Sequence, residues 1–163
     1  MKMVEARIDG LALDVTTNSP VIILATENSD RILPIWIGHY EAWAIGMELS
    51  GVTPRRPLTH DLLNTIISTV GCEVDRVEIT ELIEQTFHAS IYVKKDGELI
   101  KVDARPSDSM VLALKSRAPI LINEELLSLS PEQKESQGLP KDEESLKERL
   151  KRINPEDFGN YTL

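Results

Sequence analysis

The stretch IKVDARPSDSMVLALK, Ile100–Lys115, changes its period in the middle, and that change decides the fold class. IKVDA alternates as a half-buried strand does, whereas the segment after it carries Met110, Val111, Leu112 and Leu114 at helical spacing. Between the two, Pro106 biases Arg105 to an extended conformation and points the chain into the helix. Ser107 stands where an N-cap belongs, and Asp108 adds a charge that the helix dipole favours. The spacing predicts a helix from about Ser107 to Arg117, stopped by Pro119.

Working outward, ELIKVDA is preceded by HASIYVKK, with Asp96–Gly97 between them as a hairpin turn signal. Residues 73–84, EVDRVEITELIE, alternate as a further strand. PILIN reads as a short strand after the helix, and EELLSL as a helical turn or two. The N-terminal half has the same rhythm. VEARIDGLALDV (4–15), bent at Gly10, PVIILAT and RILPIWIG read as three strands, and the period switches at Gly38 into HYEAWAIGMELSG, a short buried helix closed by Gly51. A proline-rich connection then leads to a second helix with Thr59 as N-cap, Asp61 in its first turn and Leu62, Leu63, Ile66, Ile67 and Val70 as its stripe.

The expected fold is therefore α+β, a mixed or antiparallel sheet packed with helices. Three strands lead into a helix twice. Aligning Glu41 with Asp108 puts Ile35 on Val102, Ala44 on Val111 and Ile45 on Leu112, which points to an internal strand-strand-strand-helix duplication. Residues 1–130 are expected to form this domain and 131–163 a polar linker and helical tail. In the tail, PEQKESQGLPK is the linker, and Leu146, Leu150 and Ile153 share one helical face.

Composition limits the function. Of 163 residues, 41% are hydrophobic and 28% charged, as in an ordinary soluble globular protein. No apolar run approaches a membrane span, the N-terminus lacks a secretion signal, and Cys72 stands alone, so the expected setting is cytoplasmic, away from membranes. The net charge is −9; residues 131–163 hold 6 Lys/Arg against 8 Asp/Glu, which leaves −7 to the main domain. A binder that grips nucleic acid through phosphates needs a basic surface, so this balance argues against strong nonspecific binding.

Three stretches carry chemistry. In VDARPSD, Asp103, Arg105, Ser107 and Asp108 read either as a capped helix start with an internal ion pair, or as an anion site with Arg105 as phosphate ligand. In RRPLTHDLL, Arg56 precedes the helix and His60 and Asp61 stand in its first turn. Adjacent helical residues point about 100° apart, so each needs a partner from elsewhere. In WIGHYEAWAI, Glu41 opens an apolar helix, and Trp36 and Trp43 suit the core or a subunit interface. P-loop, dinucleotide, zinc-protease and nucleophile-elbow motifs are absent from the sequence.

The ordered set LPIWIGHYEAWAI, RRPLTHDLL and VDARPSDSMVLALKSRAPI resembles the bifunctional nuclease (BFN) domain family over about residues 4–130. The resemblance implies an α+β domain, an oligomer with a homodimer foremost, and activity on DNA and RNA. The matching positions are Glu41, Arg56, His60, Asp61, Asp103, Arg105, Ser107 and Asp108; His39 and Tyr40 receive no role.

Two functions stand foremost, beside a third, weaker one, a small-anion binder using the same helix N-termini. In one, a nuclease hydrolyses phosphodiester bonds with a divalent ion, magnesium or manganese. There Glu41, Asp61, Asp103 and Asp108 supply oxygens, His60 moves a proton, and Arg56, Arg105 and Ser107 hold substrate. In the other, the same charges form a structural salt-bridge network in a non-catalytic binding or regulatory domain. Geometry discriminates between them.

Overall fold

Strand β2 (Ser19–Thr26) is buried from Pro20 to Thr26, which is why its sequence is a continuous apolar run and not an alternation. It lies between β1 (Met3–Asp14) and β3 (Ser29–Trp36) in an antiparallel meander. Ile22 and Leu24 face the main core, while Val21 and Ile23 join Ala12 in a second, smaller core on the other side. The computed structural model describes residues 1–129, 134, 138–140 and 142–155.

The second meander consists of β4 (Glu73–Ile83), β5 (Thr86–Lys95) and β6 (Glu98–Ala104). Asp96 and Gly97 take φ of 49° and 84°, the left-handed pair that a two-residue hairpin turn needs. Strand β7 (Ile120–Asn123) lies between the meanders, antiparallel to β1 and parallel to β4, giving the order β3-β2-β1-β7-β4-β5-β6. Each meander thus has its first strand innermost and its third at an edge, and each is followed by a helix. This is the arrangement that a strand-strand-strand-helix duplication requires. Pro34 sits in β3, an edge strand, where a missing backbone donor is tolerated.

Helices α1 (His39–Ser50), α2 (Thr59–Thr69) and α3 (Pro106–Ser116) complete the domain. α3 is the central one: it packs on β4 and β5 and is flanked by α1 and α2. Met110, Val111, Leu112 and Ala113 are all at most 1% exposed. α2 contributes no buried residue at all.

The helix starts differ from the sequence expectation by one or two residues. Ser107 is not the cap of α3; Arg105 is, and Pro106 takes the first helical position, where its missing N–H costs nothing. Thr59 is likewise already helical, and the cap of α2 is Leu58, whose N–H donates to Asp61 Oδ2 at 2.8 Å.

The tail helix is also shorter than its spacing suggests. α4 spans Glu143–Arg149 only, and Leu150–Ile153 form strand β8, which pairs with Leu11–Asp14 of β1. Hydrogen bonding to an open stretch of β1 overrides the helical pattern there. Arg149 brings charge with it: its guanidinium donates to Asp14 Oδ2 at 2.7 Å, and Trp36 Nε1 donates to the same oxygen at 2.8 Å. Most of the expected linker at 131–141 and the terminal Phe158 and Tyr161 lie outside the described residues.

Candidate active site

All three large helices carry an acid at their third residue: Glu41 in α1, Asp61 in α2 and Asp108 in α3. A carboxylate there favours the positive end of the helix dipole. Two of the three converge on one cation. Arg105, held extended at the start of α3, donates from Nε to Asp108 Oδ2 at 2.8 Å and from its two terminal nitrogens to Asp108 Oδ1 at 3.1 Å and Glu41 Oε1 at 2.8 Å. The fork on Asp108 is a bidentate guanidinium–carboxylate pair.

His60 joins the cluster from α2. Its Nε2 lies 2.9 Å from Asp108 Oδ1. An ionised carboxylate only accepts, so Nε2 carries the hydrogen and donates it, leaving Nδ1 of the neutral ring as the basic atom. Burial pushes the Asp108 carboxyl up, but the hydrogen bonds from Arg105 and His60 outweigh it and hold the group below the usual carboxylate range. Arg105 is shifted upward, chiefly by its hydrogen bonds to Asp108.

Asp61 goes elsewhere. With Glu48 of α1 it clasps Lys115, near the end of α3, whose side chain is only 12% exposed. Burial pushes the Lys115 ammonium down, and the two carboxylates reverse that and raise it. Lys115 therefore fastens α1, α2 and α3 together. The remaining positions are looser. Asp103 is exposed and makes no ion pair among the described residues; Arg56 is exposed and also unpaired among them; Ser107 is buried in the first turn of α3.

The Arg105 cluster lines a cleft of about 710 Å³ bounded by α1, α2, α3 and strands β5 and β6. Its walls include Trp43, Ile67, Ile91, Val93 and Leu112, and Asp103, His60, Glu41, Arg105 and Asp108 line it as well. Arg56 does not line it. Sequence reading missed three contributors. Lys115 was legible only as a lysine within an apolar helix, and Glu48 as one more surface acid. Gly38 is the third: a Cβ added there would stand 2.1 Å from Glu41 Oε2, although its φ of −76° suits any residue. The small residue makes room for the carboxylate that reaches Arg105.

A divalent ion does not fit this arrangement. The guanidinium of Arg105 occupies the space between Glu41 and Asp108, and among the described residues no group of three or more His, Cys, Asp or Glu could hold a metal. Asp61, the third acid, is committed to Lys115.

A bifunctional nuclease domain profile matches residues 22–135, which include Glu41, His60, Arg105 and Asp108. The chain belongs to the bifunctional nuclease domain family. It is 41% identical to an uncharacterised protein of Mycobacterium tuberculosis over 96% of this chain and 98% of that one. It is also similar to bifunctional nuclease 1 of Oryza sativa, at 25% identity over 68% of this chain and 34% of the rice protein. Bifunctional nuclease 1 of Arabidopsis thaliana is 26% identical over 66% of this chain and, again, 34% of its own length. The chain thus spans about a third of these plant relatives. No described helix is long and apolar enough to cross a membrane.

Proposed function

We propose that this domain hydrolyses phosphodiester bonds of DNA and RNA, with His60 as general base and Arg105 as phosphate ligand. The observation that carries the reading is the His60–Asp108 hydrogen bond of 2.9 Å in the lining of the cleft, which orients the imidazole and leaves Nδ1 basic. Arg105 adds the second requirement. Of its five N–H groups three are used by Asp108 and Glu41, and the side chain is 63% exposed, so two N–H groups remain for a phosphate oxygen.

In the reaction, His60 Nδ1 takes a proton from water as the water oxygen bonds to phosphorus. The ester P–O bond breaks, and the leaving oxygen is protonated from solvent. Arg105 holds the phosphoryl oxygens while negative charge builds on them. Asp108 keeps the ring in place and stabilises it once charged. No step passes through a metal.

The cluster holds two carboxylates against one guanidinium, so it attracts a phosphodiester weakly. That imbalance supports the second reading, a non-catalytic binding or regulatory domain with a structural ion-pair network. Nuclease assay of highly purified protein on DNA and RNA, with and without chelator, separates the two. Cleavage that survives chelation and disappears in folded His60→Ala and Arg105→Ala variants supports hydrolysis. Equal cleavage by wild type and both variants identifies a contaminant and leaves the binding reading.

A further inference from the structure

Arg105 stands in the wall of two cavities. One is the cleft already described; the other, of about 510 Å³, is lined also by Arg149 of the tail. Among the described residues the two linings share only Glu41 and Arg105, so this ion pair divides them. Their charges differ. The first carries Glu41, Asp103 and Asp108 against Arg105 and His60. The second carries Arg105 and Arg149 against Glu41 alone, with the hydroxyls of Thr17, Ser19 and Thr86 beside them. In a chain of net charge −9 this is a local positive balance.

Arg149 ends α4 and lies beyond residues 22–135, which match the domain profile. Its side chain is 30% exposed, and its ion pair with Asp14 runs from one terminal nitrogen to Oδ2 at 2.7 Å. That bond uses one of five N–H groups, so the guanidinium is held in place with donors to spare. Trp36 steadies it from the side, with Cζ 5.7 Å from the ring centre. Two helix starts line the same cavity. Gly38 caps α1, Pro106 and Ser107 open α3, and neither start has a side-chain cap. Glu41 lies against Gly38 and serves the α1 start itself. The α3 start is left to add its dipole to the two arginines, which favours an anion.

We propose that this second cavity takes the neighbouring phosphate of a nucleic-acid strand whose reacting phosphate lies on Arg105, with Arg149 as its main ligand. This rests on the hydrolytic reading for the first phosphate and adds a site for the second. Adjacent phosphates are joined through one nucleoside, so the second must lie to one side of the Arg105–Glu41 pair. On the cleft side it would meet Asp103 and Asp108, and like charges repel it. On the other side it meets Arg149, whose planar fork suits phosphate oxygens, and the α3 start. The apolar walls of the first cleft, Trp43 and Ile67 among them, are left to a base.

Thymidine 3′,5′-bisphosphate tests this, because it carries two adjacent phosphates and no phosphodiester bond to cleave. Calorimetric titration of the whole chain should give a Kd at least about tenfold below that of thymidine 5′-monophosphate or 3′-monophosphate. Thr86→Glu sets an acid on the exposed rim of the second cavity, outside the first, and should remove most of that advantage. Arg149→Gln combined with Asp14→Asn removes the cation without stranding its buried acid, and should do the same in a chain with unchanged circular dichroism. No advantage in wild type, or one that survives both changes, overturns the proposal. So does inorganic phosphate binding as tightly as the bisphosphate, which would mark a site for a free anion. The two readings fail separately. DNA cleavage that depends on His60 and Arg105 without a bisphosphate advantage sinks the second site alone. An advantage without cleavage supports the second site and sinks hydrolysis alone.

Discussion

Arg105 and Glu41, 64 residues apart in the chain, are joined by a hydrogen bond of 2.8 Å that links the helix start of one βββα half to the helix start of the other. The two corners face each other because α1 and α3 pack side by side on the sheet. The repeated corner of the sequence therefore becomes one site. Each half brings a carboxylate, and only the second half brings the cation.

Arg105→Ala should separate catalysis from stability. The guanidinium is 63% exposed, and solvent screens its ion pairs, so the loss of folding free energy should be no more than about 1 kcal/mol by urea denaturation. Nuclease activity should fall about a hundredfold, the scale of one removed transition-state donor. A large stability loss with unchanged activity would place Arg105 in a structural network alone.

Asp108→Asn should reduce activity by about a hundredfold or more while the backbone persists, because the amide no longer holds the His60 tautomer. The sign of its pH effect follows from its lowered pKa. Its contribution to stability is present above the ordinary carboxylate range and is lost as pH falls through the lower folded value. Acid titration of wild type against Asp108→Asn, followed by circular dichroism, should show a shallower acid loss in the variant.

Lys115→Ala should be strongly destabilising, at about 3 kcal/mol, because it leaves Asp61 and Glu48 together without their partly buried cation. Lys115→Met with Glu48→Gln and Asp61→Asn should recover much of that loss. The Lys115 pKa is raised, so its contribution holds below the ordinary lysine range and disappears only as pH climbs through the folded value. Thermal melts across alkaline pH would show an added loss in wild type that the triple variant lacks.

Gly38→Ala should fold normally and still disturb the site. The new methyl group displaces the Glu41 carboxylate, the flexible end of a side chain, so the stability change should stay within about 1 kcal/mol. Arg105 then loses one of its two acids. Activity should change in the same direction as in Glu41→Gln, and combining the two substitutions should add little further.

Asp14→Asn should test the docking of the tail strand. Asp14 is fully buried, and although burial pushes its carboxyl up, hydrogen bonds from Arg149, Trp36 and Thr16 hold it well below the usual range. The stabilisation is present above the ordinary carboxylate range and is lost as pH falls through the folded value. Removing the charge should cost about 3 kcal/mol and increase hydrogen exchange in β8 before the rest of the sheet.

The sequence by itself determined the local order of this protein. Switches from alternation to helical spacing marked the strand-to-helix corners, Asp96–Gly97 marked a hairpin, and carboxylates marked three helix starts, because each of these signals acts between neighbours in the chain. It also placed His60 and Asp61 about 100° apart and required a separate partner for each. Which partner each would take was decided by tertiary structure. His60 reaches Asp108, 48 residues away, and Asp61 reaches Lys115, 54 residues away, because α3 lies between α1 and α2. The caps moved by one or two residues because proline and the Asp61 side chain satisfied the first turns differently. Leu150–Ile153 became a strand because β1 offered unpaired backbone, a demand no helical spacing records. VDARPSD was open between an anion site and an internal ion pair; packing made the ion pair with Glu41 and Asp108 and left two N–H groups of Arg105 to solvent.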